Sequence, residues 1–318
     1  MHYNHVIECC AKMEHLSSRL KQQKSVSLLN MGIFYEEDDD TKSALKYYEE
    51  SLKIRNQLFK RENIRSIKDL YLCYHNISLC YNRTNNLEGA LMCLRKIIEL
   101  KKMVLELTKN HYAIIDELSE LINSYITLAK TLLQKEETKD VKSSLLEART
   151  VIGSYYNVLP EFMHEDLLRK EGEIIFETGK AYEQMSEYVD AKECYRLAVE
   201  KFTQAYKKSS AINDNYRCAV SLSGVAGIDR KLGRYNASQQ TYREAIEILS
   251  PKTMQTTSET IQNGIAVLYF NAATVNSKNI NRELLSKACS IWELLSRRYP
   301  HNKTYSNYYR KAKELLNI

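Results

Sequence analysis

The sequence predicts an all-α protein of five to six helix pairs, and three observations support this fold class. The chain has only nine glycines and three prolines among 318 residues, a composition that favours long helices over sheets and loops. Apolar residues recur at spacings of three, four and seven, which places them on one face of a helix. Amphipathic segments of this kind come in pairs joined by short turns, and the pairs recur along most of the chain.

The clearest pair spans residues 172–205, where a tight turn near Tyr188 separates two amphipathic segments. Small residues let two helix backbones approach closely, and tyrosines fill the space beside them. The shared face consists of Gly179, Tyr182, Ala191, Tyr195 and Ala198. This pattern has a small residue and an aromatic in the first helix, followed by Ala, an aromatic and Ala in the second. It resembles a tetratricopeptide repeat. The resemblance implies a right-handed superhelical solenoid.

The other units follow in order along a single predicted domain, 1–318. Proline breaks helix interiors, and Pro160, Pro251 and Pro300 all fall between predicted units. No low-complexity linker interrupts the array. The predicted repeats are 25–58, 71–104, 112–157, 172–205, 219–252 and 259–299, with an N-terminal cap helix at 3–21 and a C-terminal cap helix at 303–317.

The period of these units exceeds that of the family. Successive first helices start 46 residues apart at Ser25 and Tyr71, whereas the usual repeat has about 34 residues. The additional residues have helical patterning, so we expect helices of about 20 residues, each about 30 Å long. The acidic run 36–40 is expected to fill the first turn and cap the second helix. Asp229 stands where an aromatic is usual, and we expect its helix pair to pack less well.

The resemblance also implies a ligand groove lined by the first helices. The residues at the family's lining positions are Leu29, Asn30, Ile33, His75, Asn76, Leu79, Arg83, Lys130, Phe176, Lys180, Arg230 and Lys231.

Asn30 and Asn76 occupy the same position of adjacent repeats. An Asn amide can hold a backbone N–H and a C=O together, so this pair could fix an extended peptide. The alternative is that both amides bond a neighbouring helix or water. Arg83 and Lys130 would add positive charge that suits carboxylates or phosphates, unless they are ordinary solvated charges at helix ends.

The leading functional prediction is a non-enzymatic scaffold that binds a protein or peptide and needs no cofactor. The alternative is a peptide-sensing regulator, since the long period is similar to the peptide-sensing domains of Gram-positive bacterial quorum regulators. Those proteins carry an N-terminal output module, and only about 24 residues precede the first repeat here. We therefore expect any output to pass through a partner, or through a change in superhelix shape on binding.

Other function classes find little support in the sequence. Positive and negative side chains alternate under a mild net charge of +6, which argues against a nucleic-acid partner. His164 and Glu165 begin a metalloprotease-like motif, but Leu168 stands where the second His must be. His2, His5, Cys9 and Cys10 could hold a metal, but no second Cys pair completes a zinc pattern.

The location of the protein is predicted from what the sequence lacks. No apolar run approaches the length of a membrane span, and the N-terminus has no signal layout. We therefore expect a cytoplasmic protein with no membrane partner, and the resemblance to the Gram-positive regulators implies a bacterial one. The ends of a solenoid and its Tyr-rich faces leave a homo-oligomer as an open alternative.

Overall fold

The computed structural model describes residues 17–276 and 279–317, in which all regular structure is helical. The predicted N-terminal cap at 3–21 and the His/Cys group at its start lie largely outside these residues. The chain divides into two compact units, Met1–Thr150 and Val151–Ile318. We describe each unit by itself.

The N-terminal unit is a series of helices, and each of its first four helices packs on the next. The first helix of each of the first two pairs packs on its second helix, and the second packs on the first helix of the following pair. The helices are α1 (Ser18–Glu37), α2 (Thr41–Leu58), α3 (Ile64–Arg83), α4 (Leu87–Leu107), α5 (His111–Gln134) and α6 (Thr138–Ser154), the last of which crosses the unit boundary.

The C-terminal unit continues the same organisation. Two short 3-10 turns, Tyr155–Asn157 and Glu161–Met163, precede its first full helix. The remaining helices are α7 (His164–Gln184), α8 (Tyr188–Ser209), α9 (Ile212–Lys231), α10 (Tyr235–Glu247), the single turn α11 (Pro251–Met254), α12 (Glu259–Ala273), α13 (Arg282–Arg298) and α14 (Lys303–Leu316). Consecutive packed pairs in both units confirm the predicted all-α solenoid class.

The elongated helices that the long period predicts are present. Helices α1 and α3 each have 20 residues, and α7 has 21. The first helices of the four best-patterned repeats begin seven or eight residues before the starts that the sequence predicts. The additional residues therefore extend the N-terminal ends of the first helices.

A common turn joins the two helices of a pair. In each of five turns, one residue has a positive φ between 52° and 71°, and only one of the five is glycine. These residues are Asp39, Asn85, Glu136, Ser186 and Gly233. The acidic run serves this turn as predicted, since Asp40 caps α2 by accepting a 3.1 Å hydrogen bond from Ser43 N.

Small residues against tyrosines form the predicted centre of each pair. Gly32 lies against the ring of Tyr48, where an added Cβ would come within 2.4 Å of the ring. Gly179 faces Tyr195 in the same way, with a nearest approach of 3.0 Å. Both tyrosines are buried, and helix spacing at these points depends on the absence of a side chain.

A buried ion pair occupies the position where the sequence lacks the usual aromatic. Asp229 is only 2% exposed, and Lys192 Nζ lies 2.6 and 2.7 Å from its two carboxylate oxygens. The lysine reaches from α8 to α9. The charged contact thus links α9 to the preceding helix α8, whereas the poorer packing was expected between α9 and α10.

Candidate functional site

The first helices of the N-terminal unit each keep one stripe of side chains accessible. The stripes follow from helical spacing, because residues three and four apart stand on the same face. We call these residues the first-helix surface: Val26, Asn30 and Ile33 on α1, Leu72, His75, Asn76 and Leu79 on α3, and Asn123, Thr127 and Lys130 on α5.

Ion pairs place these three helices side by side. Arg83 Nη2 at the C-terminal end of α3 lies 3.1 Å from Glu36 Oε1 at the C-terminal end of α1. Lys68 near the N-terminus of α3 pairs with Glu117 near the N-terminus of α5. Because like ends of the helices pair, α1, α3 and α5 run in the same direction and their stripes adjoin.

Asn30 and Asn76 are the predicted backbone-holding residues, and both lie on this surface. Asn76 is 9% exposed and Asn30 is half-buried. Within residues 17–276 and 279–317, neither amide group has a hydrogen-bond partner. Among these residues, the bonding to a neighbouring helix that the sequence left open as an alternative is therefore not observed. Both amides remain able to bond a peptide backbone through their donor and acceptor groups.

Aliphatic side chains flank the two asparagines. Val26, Ile33, Leu72 and Leu79 are 42%, 39%, 39% and 38% exposed. The sequence predicted Ile33 and Leu79, whereas Val26 and Leu72 were missed. Each missed residue lies seven positions before a predicted one, so the two-turn spacing could have revealed it.

Leu29 has a different environment from its predicted neighbours. It is 6% exposed and belongs to the apolar core that Tyr48, Cys73 and Ile77 also form. Its side chain points away from solvent because position 29 falls on the buried face of α1. We therefore leave Leu29 out of the candidate surface.

A cavity of about 540 Å³ lies at one end of the first-helix surface. Lys130 lines it, as do the C-terminal end of α3 and the turn that follows. The other lining residues are Asn82, Asn85, Leu87, Thr127, Thr131 and Gln134. The cavity is thus mainly polar, with amide and hydroxyl groups that can both donate and accept hydrogen bonds.

Ion pairs also fix the charges around the first-helix surface. The hydrogen bond to Glu117 raises the pKa of Lys68. Lys101 is 7% exposed and lies 2.9 Å from Glu120 Oε2, and this hydrogen bond lowers the pKa of the Glu120 carboxyl group. Both shifts favour the charged forms of Lys68 and Glu120.

The candidate residues of the C-terminal unit are held by contacts within that unit. Phe176 packs on Tyr195 with ring centroids 5.4 Å apart, beside a buried apolar cluster. Lys180 lies 3.1 Å from both carboxylate oxygens of Glu177, and Lys231 Nζ lies 2.8 Å from Glu183 Oε1. Arg230 is exposed.

Three cations of the predicted positive lining are therefore compensated by acids on the first helices. Arg83, Lys180 and Lys231 all have carboxylate partners. The pairing could not be predicted from helix spacing alone, because two of the three acids belong to a neighbouring first helix 47 or 48 residues away.

The described residues contain neither a metal-binding cluster nor a helix that could span a membrane. No group of three His, Cys, Asp or Glu side chains there is arranged to hold a metal ion. None of the helices described is long and apolar enough to cross a membrane.

Helices stacked in consecutive pairs, with small residues set against tyrosines, define a helical-repeat protein. Family models of the tetratricopeptide repeat match residues 26–64 and residues 71–102. These two segments of the N-terminal unit are therefore similar to tetratricopeptide repeats, and such repeats support a role in protein interaction. No curated protein sequence matches the chain.

Solved structures share this fold at low sequence identity. The apo form of RapI aligns over 98% of this chain and 79% of its own, with 13% identity and a TM-score of 0.53. Aspartyl phosphate phosphatase F from Bacillus subtilis aligns over 98% of this chain and 74% of its own, with 14% identity and a TM-score of 0.51. At these identities the likeness concerns the fold alone.

Proposed function

We propose that this protein is a non-enzymatic scaffold that binds an extended peptide segment on the first-helix surface of its N-terminal unit. The observation that carries the proposal is the pair Asn30 and Asn76, two amides on adjacent first helices without hydrogen-bond partners among the described residues. Each amide can bond one peptide unit of a ligand through its donor and acceptor groups.

The side chains around this pair indicate the kind of peptide. Exposed Ile33 and Leu79 offer apolar contact to aliphatic ligand side chains. The acids and bases nearby are largely paired with each other, so a strongly charged ligand would have to break ion pairs. A peptide with alternating aliphatic side chains and little net charge fits this surface best.

The test is a thermal-shift screen of the full chain against pooled synthetic peptides of mixed composition. A ligand that binds only the folded state raises apparent stability, by about 2.7 kcal/mol at a hundredfold excess over its Kd. Hits are then titrated calorimetrically against the wild type and the Asn30→Ala/Asn76→Ala variant. We expect the double variant to bind at least about tenfold more weakly, because it loses the bonds to the ligand backbone.

A matched control is available in the other unit. Asn213 and Asn236 are exposed, and the Asn213→Ala/Asn236→Ala variant should retain wild-type affinity. Equal weakening of both double variants would contradict the assignment of the site. Failure of every peptide pool with a folded protein would count against peptide binding and favour a folded protein partner.

A second candidate function is a peptide sensor in which binding changes the spacing of the first helices. The ion pair between Arg83 and Glu36 favours it, since this contact joins α1 to α3 and an exposed pair contributes at most about 1 kcal/mol. Spin labels at Val26 and Leu72 would report the α1–α3 distance with and without a peptide hit. An unchanged distance distribution at saturation would exclude the sensor and leave the scaffold.

A further inference from the structure

A second cavity lies in the N-terminal unit at the opposite ends of the helices from Arg83. It has a volume of about 370 Å³ and sits where α1 begins, α2 ends and α3 begins. Its lining residues are Ser18, Arg19, Gln22, Arg55, Leu58, Lys60, Asn63, Arg65, Ser66 and Asp69. Four of these side chains are cations and one is a carboxylate.

Arg55 is the most unusual member of this lining. It is only 6% exposed, and its Nη1 donates to the backbone oxygen of Asp69. Its Nε–H is buried and has no hydrogen-bond partner. An unsatisfied buried donor costs about 1–3 kcal/mol, and more when the group is charged. Arg55 thus brings a desolvated positive charge to the lining of the cavity, and an anion in the cavity would compensate that charge.

The other three cations also lack compensation. Within the part of the chain that the structure describes, Arg19, Lys60 and Arg65 form no ion pair with a carboxylate. Their side chains are exposed at the edge of the cavity, whereas Arg55 is buried. The arrangement therefore combines one desolvated guanidinium with three exposed cations, and none of these three has a carboxylate partner among the described residues.

The backbone around the cavity is firmly built and adds to its positive potential. Asn63 Oδ1 accepts from Ser66 N at 3.0 Å and caps α3, and Ser66 Oγ accepts from Lys60 N at 2.9 Å. Helix α3 has 20 residues, and its N-terminus opens at this point. A helix N-terminus carries partial positive charge that favours anions.

From these contacts we infer that this cavity is an anion site that binds the phosphoryl group of a small phosphorylated molecule. Guanidinium groups match the geometry of phosphate oxygens, and four cations suit a dianion better than a single carboxylate. A cavity of about 370 Å³ is in the range that holds small-molecule ligands, so it has room beyond the phosphoryl group. This inference does not depend on peptide binding at the first-helix surface.

The experiment is a titration of the full chain with inorganic phosphate and with adenosine monophosphate, at constant ionic strength set with chloride. Phosphorus NMR line broadening and calorimetry measure binding. The exposed variants Arg19→Ala and Arg65→Ala are each expected to weaken binding about tenfold, because each loses a charge-assisted bond. Lys53→Ala removes an exposed cation of α2 that does not line the cavity, and it should bind within twofold of the wild type.

The role of buried Arg55 is tested with Arg55→Lys, which keeps the charge but loses the Nε–H donor. We expect it to fold and to bind phosphate about tenfold more weakly. Tighter binding of adenosine monophosphate than of phosphate would support a ligand that fills the rest of the cavity, and equal binding would support recognition of the phosphoryl group alone. Absence of phosphate and nucleotide binding, binding of nucleic acid or phosphopeptide only, or equal affinity in all variants would overturn the inference.

Discussion

Tyr48 Oη donates a 2.7 Å hydrogen bond to Glu36 Oε2, and this contact joins the second helix of the first repeat to its own first helix. The same carboxylate pairs with Arg83 of the next first helix. One glutamate thus links three successive helices through a phenol and a cation.

The C-terminal unit repeats this arrangement. Tyr195 Oη donates to Glu183 Oε2 at 2.6 Å, and Lys231 Nζ lies 2.8 Å from Glu183 Oε1. In both units the tyrosine lies 12 residues after the glutamate. Its ring rests against a glycine that lies four residues before the glutamate. Recurrence at equivalent positions indicates that the glutamate, tyrosine and cation form a structural clamp between repeats.

The clamp predicts that Tyr48→Phe destabilises the fold. The substitution keeps the ring against Gly32 but removes the hydrogen bond to a charged partner, which contributes about 1.5–3 kcal/mol. Urea unfolding of the two proteins measures the loss. Tyr112→Phe is the matched control, because Tyr112 is 67% exposed and its substitution should change stability by less than about 0.5 kcal/mol. Equal effects at both positions would contradict the clamp.

Two glycines in helices should respond to alanine in opposite directions. In Gly32→Ala the new methyl group meets the Tyr48 ring, and overpacking of this kind costs about 1–3 kcal/mol. Gly227 has open space around its Cβ position, so Gly227→Ala should stabilise by about 0.5–1 kcal/mol through helix propensity. Thermal melts of the two variants give the signs, and a stabilising Gly32→Ala would refute the close contact.

Because Lys192 and Asp229 form a buried ion pair, we predict that the stability of the fold depends strongly on keeping both charges or removing both. Lys192→Met leaves a buried carboxylate without its main cation, a change that typically costs about 3–5 kcal/mol. The double variant Lys192→Met/Asp229→Leu removes both charges and should recover most of that loss. Chemical unfolding of the single and double variants measures the coupling. A double variant no more stable than the single one would show that the charges are not coupled.

Two buried cysteines predict a loss of stability in alkali. Burial raises the pKa of Cys80 and of Cys93 to about 11, from an ordinary value near 9. The folded state therefore holds these protons more tightly than the unfolded state does. The two raised pKa values therefore contribute to the free energy of unfolding. This contribution is complete below about pH 9 and is lost as the pH rises towards 11.

Unfolding free energies measured at pH 8, 9 and 10 test this behaviour. Tyrosines also titrate in alkali, so the wild type is compared with a Cys80→Ala/Cys93→Ala variant. The stability advantage of the wild type should shrink as the pH rises. A difference that stays constant from pH 8 to pH 10 would refute the shifted pKa values.

Much of the fold could be predicted from local pattern. Gly179 and Tyr195 carry the packing signature in the sequence, because small and aromatic residues at helical spacing admit few other arrangements. The period of 46 likewise predicted long helices. Helices α1 and α3 begin seven residues before their predicted starts, because the helical pattern continues beyond the family's usual boundary. The residues Ser17 and Asn63, which cap the two helices, are local signals that could have marked these starts.

The candidate site was predicted only in part. Asn30, Asn76, Ile33 and Leu79 follow from their positions on the first helices, because helical period fixes which face a residue occupies. Leu29 lies one position before Asn30, and one position along a helix turns a side chain by about 100°. That rotation is enough to move it from the accessible stripe into the core.

By itself, the sequence determined the repeat architecture and the faces of its helices, because both depend on spacings of a few residues. Only the tertiary structure decided which charges remain available. Glu36 meets Arg83 from a neighbouring repeat, whereas the guanidinium of Arg55 is buried in the lining of a cavity without a carboxylate partner among the described residues. Such pairings join residues on different helices, and their outcome depends on distances and burial that exist only once the helices have packed.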